Sequence, residues 1–177
     1  QRLEIRGAER GGKDVPPATL DITASTTVQD LMNFIRDAIG LRTGIGNNPD
    51  GATPGLALDP VTGVLAITGN TGTVNDLRID ATDLRVLDSA GTVVRSSVFN
   101  TSKTASADGE SVRTTFIVYD SLGAPVSVDL SMVADSRGAN GTTWRYYADS
   151  GDDSDLAIEL GTGLISFDTQ EIGRAHV

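Results

Sequence analysis

Four aspartates, Asp149, Asp152, Asp153 and Asp155, crowd around Ser150-Gly151. Clustered carboxylates in a glycine-containing loop are the donor chemistry of calcium, a hard cation bound through oxygen. Their spacing departs from the EF-hand loop, which sets acids, a glycine and a distal Glu at fixed intervals, so the favoured reading is a solvated acidic turn. Hydrolysis by paired carboxylates needs two acids across a cleft, one with a raised pKa, and nothing in the sequence places two acids that way. Gly44-Ile45-Gly46-Asn47-Asn48 and Gly69-Asn70-Thr71-Gly72 are glycine-rich but lack the spacing of a dinucleotide loop and the Lys-Ser/Thr of a phosphate loop. They read as turns. Serine and threonine hydroxyls abound, yet a nucleophilic hydroxyl needs a base, and the single histidine, His176, stands one residue from the last. With no cysteine there is no thiol nucleophile, disulfide or Cys-ligated zinc. The expectation is a protein that is not an enzyme and needs no cofactor or metal.

Charge narrows the partners. Fourteen Lys and Arg stand against 24 Asp and Glu, a net charge of −10, the wrong sign for a phosphate-binding surface. Nucleic acid is therefore not an expected partner. No apolar run reaches the roughly 20 residues that cross a bilayer, so no membrane partner is expected either. A chain of 177 residues, 38% apolar and 21% charged, has the composition of a soluble globular protein of one domain or two small ones.

The elements that would carry these residues are mostly strands. The chain opens in a strand-like Leu3-Glu4-Ile5-Arg6, and from Ala18 to Ala24 the apolar Leu20 and Ile22 alternate with polar neighbours. A helix is predicted over 27–39: Thr27 and Asp30 form a capping box, Val28, Leu31, Met32, Ile35 and Ile39 share one face, and Gly40 supplies the stop. Burial of that face on its own sheet is favoured over docking of a partner. A loop follows at 43–55. Short Val/Leu/Ile segments then recur at 55–59, 63–68, 75–86 and 92–98, separated by turn residues, and predict a small α+β module with one helix on one sheet.

Between Asn100 and Gly109 the composition turns to Ser, Thr, Ala, Lys and Asp, which places a module boundary there, dividing 1–100 from 101–170. The second module is predicted as all strand, at 112–119, 126–134, 142–148, 156–160 and 164–167. Turns at Asp120-Ser121-Leu122-Gly123, Gly138-Ala139-Asn140-Gly141 and Gly161-Thr162-Gly163 suit the hairpins of an antiparallel sandwich or barrel. Val126, Val128, Leu130 and Met132 alternate with Ser127, Asp129 and Ser131, so the apolar set is expected inward. Trp144, Tyr146 and Phe167 are the expected core fillers. The fold class is thus mainly β with one amphipathic helix. The closing 171–177, Glu-Ile-Gly-Arg-Ala-His-Val, is what a common sequencing adaptor encodes and reads as a non-biological tail, and the opening at Gln1 reads as the start of a fragment.

The second module carries a recognisable order of motifs. Thr114-Thr115-Phe116-Ile117-Val118-Tyr119-Asp120-Ser121-Leu122-Gly123 is a strand running into a Tyr-Asp-Ser-Leu-Gly turn. An alternating strand follows at 126–133, then Thr143-Trp144-Arg145-Tyr146-Tyr147, then Gly163-Leu164-Ile165-Ser166-Phe167-Asp168. This order resembles the middle, β-rich region of bacterial flagellar hook proteins over 102–170. More weakly, Thr26–Leu31 and Gly69–Leu77 are similar to inserted outer domains of larger hook proteins. Two departures stand out: Ala124-Pro125 replaces the family's polar residue after the turn, and the terminal helical segments are missing, which leaves rod relatives open.

The resemblance implies a structural subunit of the hook, a curved tubular universal joint that passes motor torque to the filament. It implies extracellular placement at the flagellum after type III export, and partners that are copies of itself, other axial proteins and the export apparatus. Phe116, Tyr119, Asp120, Ser121, Leu122, Gly123, Trp144, Gly163, Leu164, Phe167 and Asp168 would then be structural motif residues rather than catalytic ones. The alternatives are a distal-rod relative, or an adhesin-like or carbohydrate-binding β-module.

Overall fold

The computed structural model describes residues 1–152, 156–169 and the backbone of the short strand Ala175–His176. In chain order the strands are β1 (Arg2–Ile5), β2 (Glu9–Arg10), β3 (Lys13–Asp14), β4 (Ala18–Asp21), β5 (Gly55–Leu58), β6 (Leu65–Thr68), β7 (Leu77–Arg78), β8 (Leu84–Leu87), β9 (Val93–Arg95), β10 (Ser111–Tyr119), β11 (Pro125–Gly138), β12 (Gly141–Asp149), β13 (Glu159–Asp168) and β14 (Ala175–His176). The only α-helix among the described residues, α1, spans Val28–Ala38. The protein is mainly β with one helix, as its composition and periodicities imply.

Helix α1 starts where its side chains satisfy the free amides of the first turn. Thr27 Oγ1 accepts from the Asp30 amide at 3.2 Å, and the Asp30 carboxylate accepts from the Thr27 amide at 2.8 Å. Gly40, at φ 63°, ends it in the left-handed region that other residues avoid. The buried face overlaps the expected stripe at Ile35 and Ile39, with Leu31 packed against the core, and adds Phe34 and Ala38, whereas Val28 is half exposed. Sequence spacing fixed the period but not the direction of the sheet beneath.

That sheet runs β4-β1-β8-β9, with both neighbours of β1 antiparallel to it. Leu3, Ile5 and Leu84 from it pack against Phe34, Ile35 and Ile39 in one core. Two further small sheets, β3-β2-β7 and the β5-β6 hairpin, complete the first module, so its strands divide among three sheets rather than one. The segment expected as one strand over 75–86 is broken. Two 3-10 turns, Thr73–Asn75 and Ala81–Asp83, interrupt it, the second held by Asp83 accepting from the Asp80 amide at 2.8 Å.

The second module is a single antiparallel row, β10-β11-β12-β13-β14. The first two expected turns are present: Tyr119 pairs with Pro125 and Gly138 with Gly141. The third is not. Residues 161–163 lie within β13, where Gly163 sits opposite Tyr146. A Cβ on Gly163 would come within 2.7 Å of the Tyr146 ring, so glycine here makes room for an aromatic rather than a bend.

Of the set expected inward, Val128 is buried and Val126, Leu130 and Met132 are half-buried, but the face expected to meet water is covered as well. Arg113, Asp129, Ser131, Arg145, Tyr147 and Asp149 share one face by register, and this polar face lies against the first module. Ser131, Tyr147 and Asp149 are each no more than 3% exposed. The opposite face, with Val112, Phe116, Met132, Trp144 and Phe167, carries no charge except for Arg137 at its far end, and Val128 is buried on it while the rest stays partly exposed. Trp144 and Tyr146 are only half-buried and Phe167 is exposed, so none of the three is a core filler; Tyr147 and Val133 take that part.

Candidate functional site

Two places bring unusual residues together: the joint between the modules and the turn that carries the motif. At the joint, Arg10 comes from β2, Arg42 from the segment after α1, and Asp149 from the end of β12. Arg10 pairs with Asp149 Oδ2, and Arg42 Nη2 donates to Asp149 Oδ1 at 2.6 Å and to the Ala148 carbonyl at 2.8 Å. Arg42 Nη1 also lies 2.7 Å from Glu159 Oε2, though not aligned for a hydrogen bond, and its Nε has no partner among the described residues. Burial pushes the Arg42 guanidinium below its usual range, against the pull of Asp149 and Glu159 and with the repulsion of Arg10.

Asparagines seat Arg42 from the other side. The Asn70 side chain accepts from the Arg42 amide at 2.9 Å and donates to its carbonyl at 2.8 Å. Asn48 does the same work one turn away, donating to the Gly69 carbonyl and accepting from the Thr71 amide. The two glycine-rich segments are therefore turns, and they are zipped together.

The boundary at 100–109 is an extended segment held to the first module. Asp76 accepts from Lys103 Nζ at 2.6 Å and from the Ala107 amide at 2.7 Å, and the Gly72 amide donates to the Asp108 carbonyl at 2.7 Å. Arg113 then reaches back from β10 to the Val74 carbonyl at 2.6 Å and the Arg10 carbonyl at 3.1 Å. At Gly72, φ 96°, a Cβ would meet Val133 at 2.4 Å, so the backbone of one module touches a core side chain of the other.

The motif residues fall at two ends of the sheet. Phe116 and Tyr119 lie on β10, and Asp120 closes the turn: its Oδ1 accepts from the Leu122 and Ala124 amides, both at 2.8 Å. Ser121 is exposed and Gly123, at φ 81°, completes the turn. Trp144 sits near the other end of β12, opposite Ile165, and donates to Thr142 Oγ1 at 3.3 Å. Gly163, Leu164, Phe167 and Asp168 are spread along β13. They form no common site.

The acidic cluster is divided. Asp149 is taken by the two arginines, Asp152 accepts from the Ser127 amide at 2.8 Å, and Asp153 and Asp155 lie outside the described residues. Among the described residues no group of three His, Asp or Glu side chains is close enough to hold a metal ion. Two small crevices flank the joint, about 70 Å³ beside Arg10 and Pro16 and about 180 Å³ between Asn47 and Tyr147. Neither brings a nucleophile to a base. Burial raises the Tyr147 hydroxyl above its usual range, which keeps it neutral.

The joint was invisible in the sequence: nothing in the neighbours of Arg10, Arg42 or Asp149 marks them as partners across the chain. Comparison of the chain with family models, with curated proteins and with solved structures gives no match.

Proposed function

We propose that this chain is an outward-facing part of an axial flagellar subunit, the hook protein, with a distal-rod relative as the nearest alternative. Its work is mechanical: to carry load between copies of itself in a tube that transmits torque. The observation that carries the reading is the ordered set of motif segments in the second module, ending one hairpin in the Tyr119–Gly123 turn.

Two physical features support a load-bearing part. The modules are fixed to each other by buried ion pairs and backbone hydrogen bonds, so force applied to one is passed to the other rather than lost in a loose linker. The motif turn is itself braced, with Asp120 Oδ1 accepting from the Leu122 and Ala124 amides. The test is to read the source gene through both ends of this segment. Heptad-patterned helical segments on both sides are expected; a secretory signal or a catalytic domain there would overturn the proposal.

A further inference from the structure

The large sheet ends at β10. On its inner side β10 pairs with β11 along its full length, from Ser111 opposite Val133 to Tyr119 opposite Pro125. On its outer side no described strand adjoins it, whereas the far end of the sheet is partly closed by β14 pairing with Ser166 and Phe167. An unpaired strand offers a row of backbone donors and acceptors to any other strand. Folded proteins ordinarily blunt such an edge with charge, proline, a bulge or brevity.

β10 has none of these devices in its outer half. It is nine residues long and in regular register, and from Thr114 to Tyr119 it carries no charge and no proline. Those residues are β-branched or aromatic, the types that suit a pleated surface. Contacts of β10 with the first module fall at its start, through Ser111 and Arg113. Beyond them the strand stands clear, with Phe116 43% and Ile117 61% exposed on opposite faces.

We propose that this edge is the docking surface for a second copy of the chain, β10 lying antiparallel against β10 about a twofold axis. Such an axis keeps each sheet face on its own side, so even positions meet even and odd meet odd. With Ile117 opposite Ile117, Phe116 falls opposite Val118 and Thr115 opposite Tyr119, which pairs apolar with β-branched or aromatic side chains. Thr114 meets Asp120, and Arg113 meets Ser121 while its guanidinium remains turned to the Val74 and Arg10 carbonyls. No like charges are set together. A chain of net charge −10 approaches its twin at least cost through its uncharged strand. The contact is isologous and closes at two copies, so it stands apart from the head-to-tail contacts that a tube requires.

Because the chain has no cysteine, single-cysteine variants of the full chain test the pairing directly. Under mild oxidation Ile117→Cys is expected to give a covalent pair in high yield, and Val61→Cys, 90% exposed in the β5–β6 turn of the first module, only background. Sedimentation of the wild-type chain over a concentration series is expected to show monomer and dimer. Ile117→Lys should weaken the dimer by about tenfold or more through two apposed charges, while Val61→Lys leaves it as it is. Three results would overturn the proposal: a wild-type chain monomeric at every concentration with no enhanced crosslink at Ile117→Cys, equal effects of the two lysines, or open-ended fibres in place of a closed pair.

Discussion

Arg42 and Asp149 lie 107 residues apart and meet at 2.6 Å in the joint between the modules, Arg42 1% and Asp149 3% exposed. Arg10 completes the arrangement, so Asp149 is shared by two guanidiniums, with Glu159 beside Arg42 as a second, more exposed carboxylate. A buried ion pair contributes little against an apolar replacement of the whole, yet breaking it strands a charge away from water.

Asp149→Ala is therefore expected to cost about 3–5 kcal/mol of stability, because two arginines lose their shared partner. Urea unfolding followed by Trp144 fluorescence measures it. A loss below about 1 kcal/mol would mean that water reaches the arginines and the joint is not a sealed one.

Gly72→Ala tests the backbone contact. Alanine would be held at φ 96° with its Cβ 2.4 Å from Val133 Cγ2, and the expected loss is about 1–3 kcal/mol. Pairing it with Val133→Ala relieves the clash, so a double variant no less damaged than the sum of the two singles would refute the contact.

The tethers of the joint set a pH dependence. Burial tends to raise the Asp76 and Asp129 carboxyls, but Lys103 and the Ala107 amide hold the first, and Lys13 and Thr115 the second, below the usual carboxylate range. Groups lowered by folding contribute stability that is fully present above their unfolded pKa values and is lost as pH falls through their folded ones. Urea midpoints should thus fall on acidification below the ordinary carboxylate range. Asp76→Asn should flatten part of that slope, and a slope identical to wild type would count against its role.

The motif turn depends on one carboxylate. Removing Asp120 Oδ1 by Asp120→Ala leaves the Leu122 and Ala124 amides without that acceptor, at a cost of about 1 kcal/mol. Hydrogen exchange at those two amides should quicken, while exchange in β12 stays as it was. Asp120→Asn, which keeps an acceptor oxygen, should restore most of the protection.

Local chemistry was legible in the sequence because it acts over a few residues. Thr27 and Asp30 announced the helix start, Gly40 its stop, and the turns at Tyr119–Pro125 and Gly138–Gly141 were written in their glycines, asparagines and aspartates. What lies on each face was not. Alternation at 126–133 showed that two faces differ without telling which one meets the first module, and burying the polar one needed partners such as Arg10 and Lys13 that stand more than a hundred residues upstream. Gly163 misled for the same reason: a glycine in a strand and a glycine in a turn look alike until Tyr146 is seen above it.

The shared carboxylate ties the history of three positions together. A sequence that keeps this joint cannot change Asp149 to a neutral residue while both Arg10 and Arg42 remain, and losing one arginine leaves the other to balance the acid alone. Substitutions at 10, 42 and 149 should accordingly arrive as a set. Among divergent copies of this gene, that concerted drift would mark those in which the two halves still move as one body.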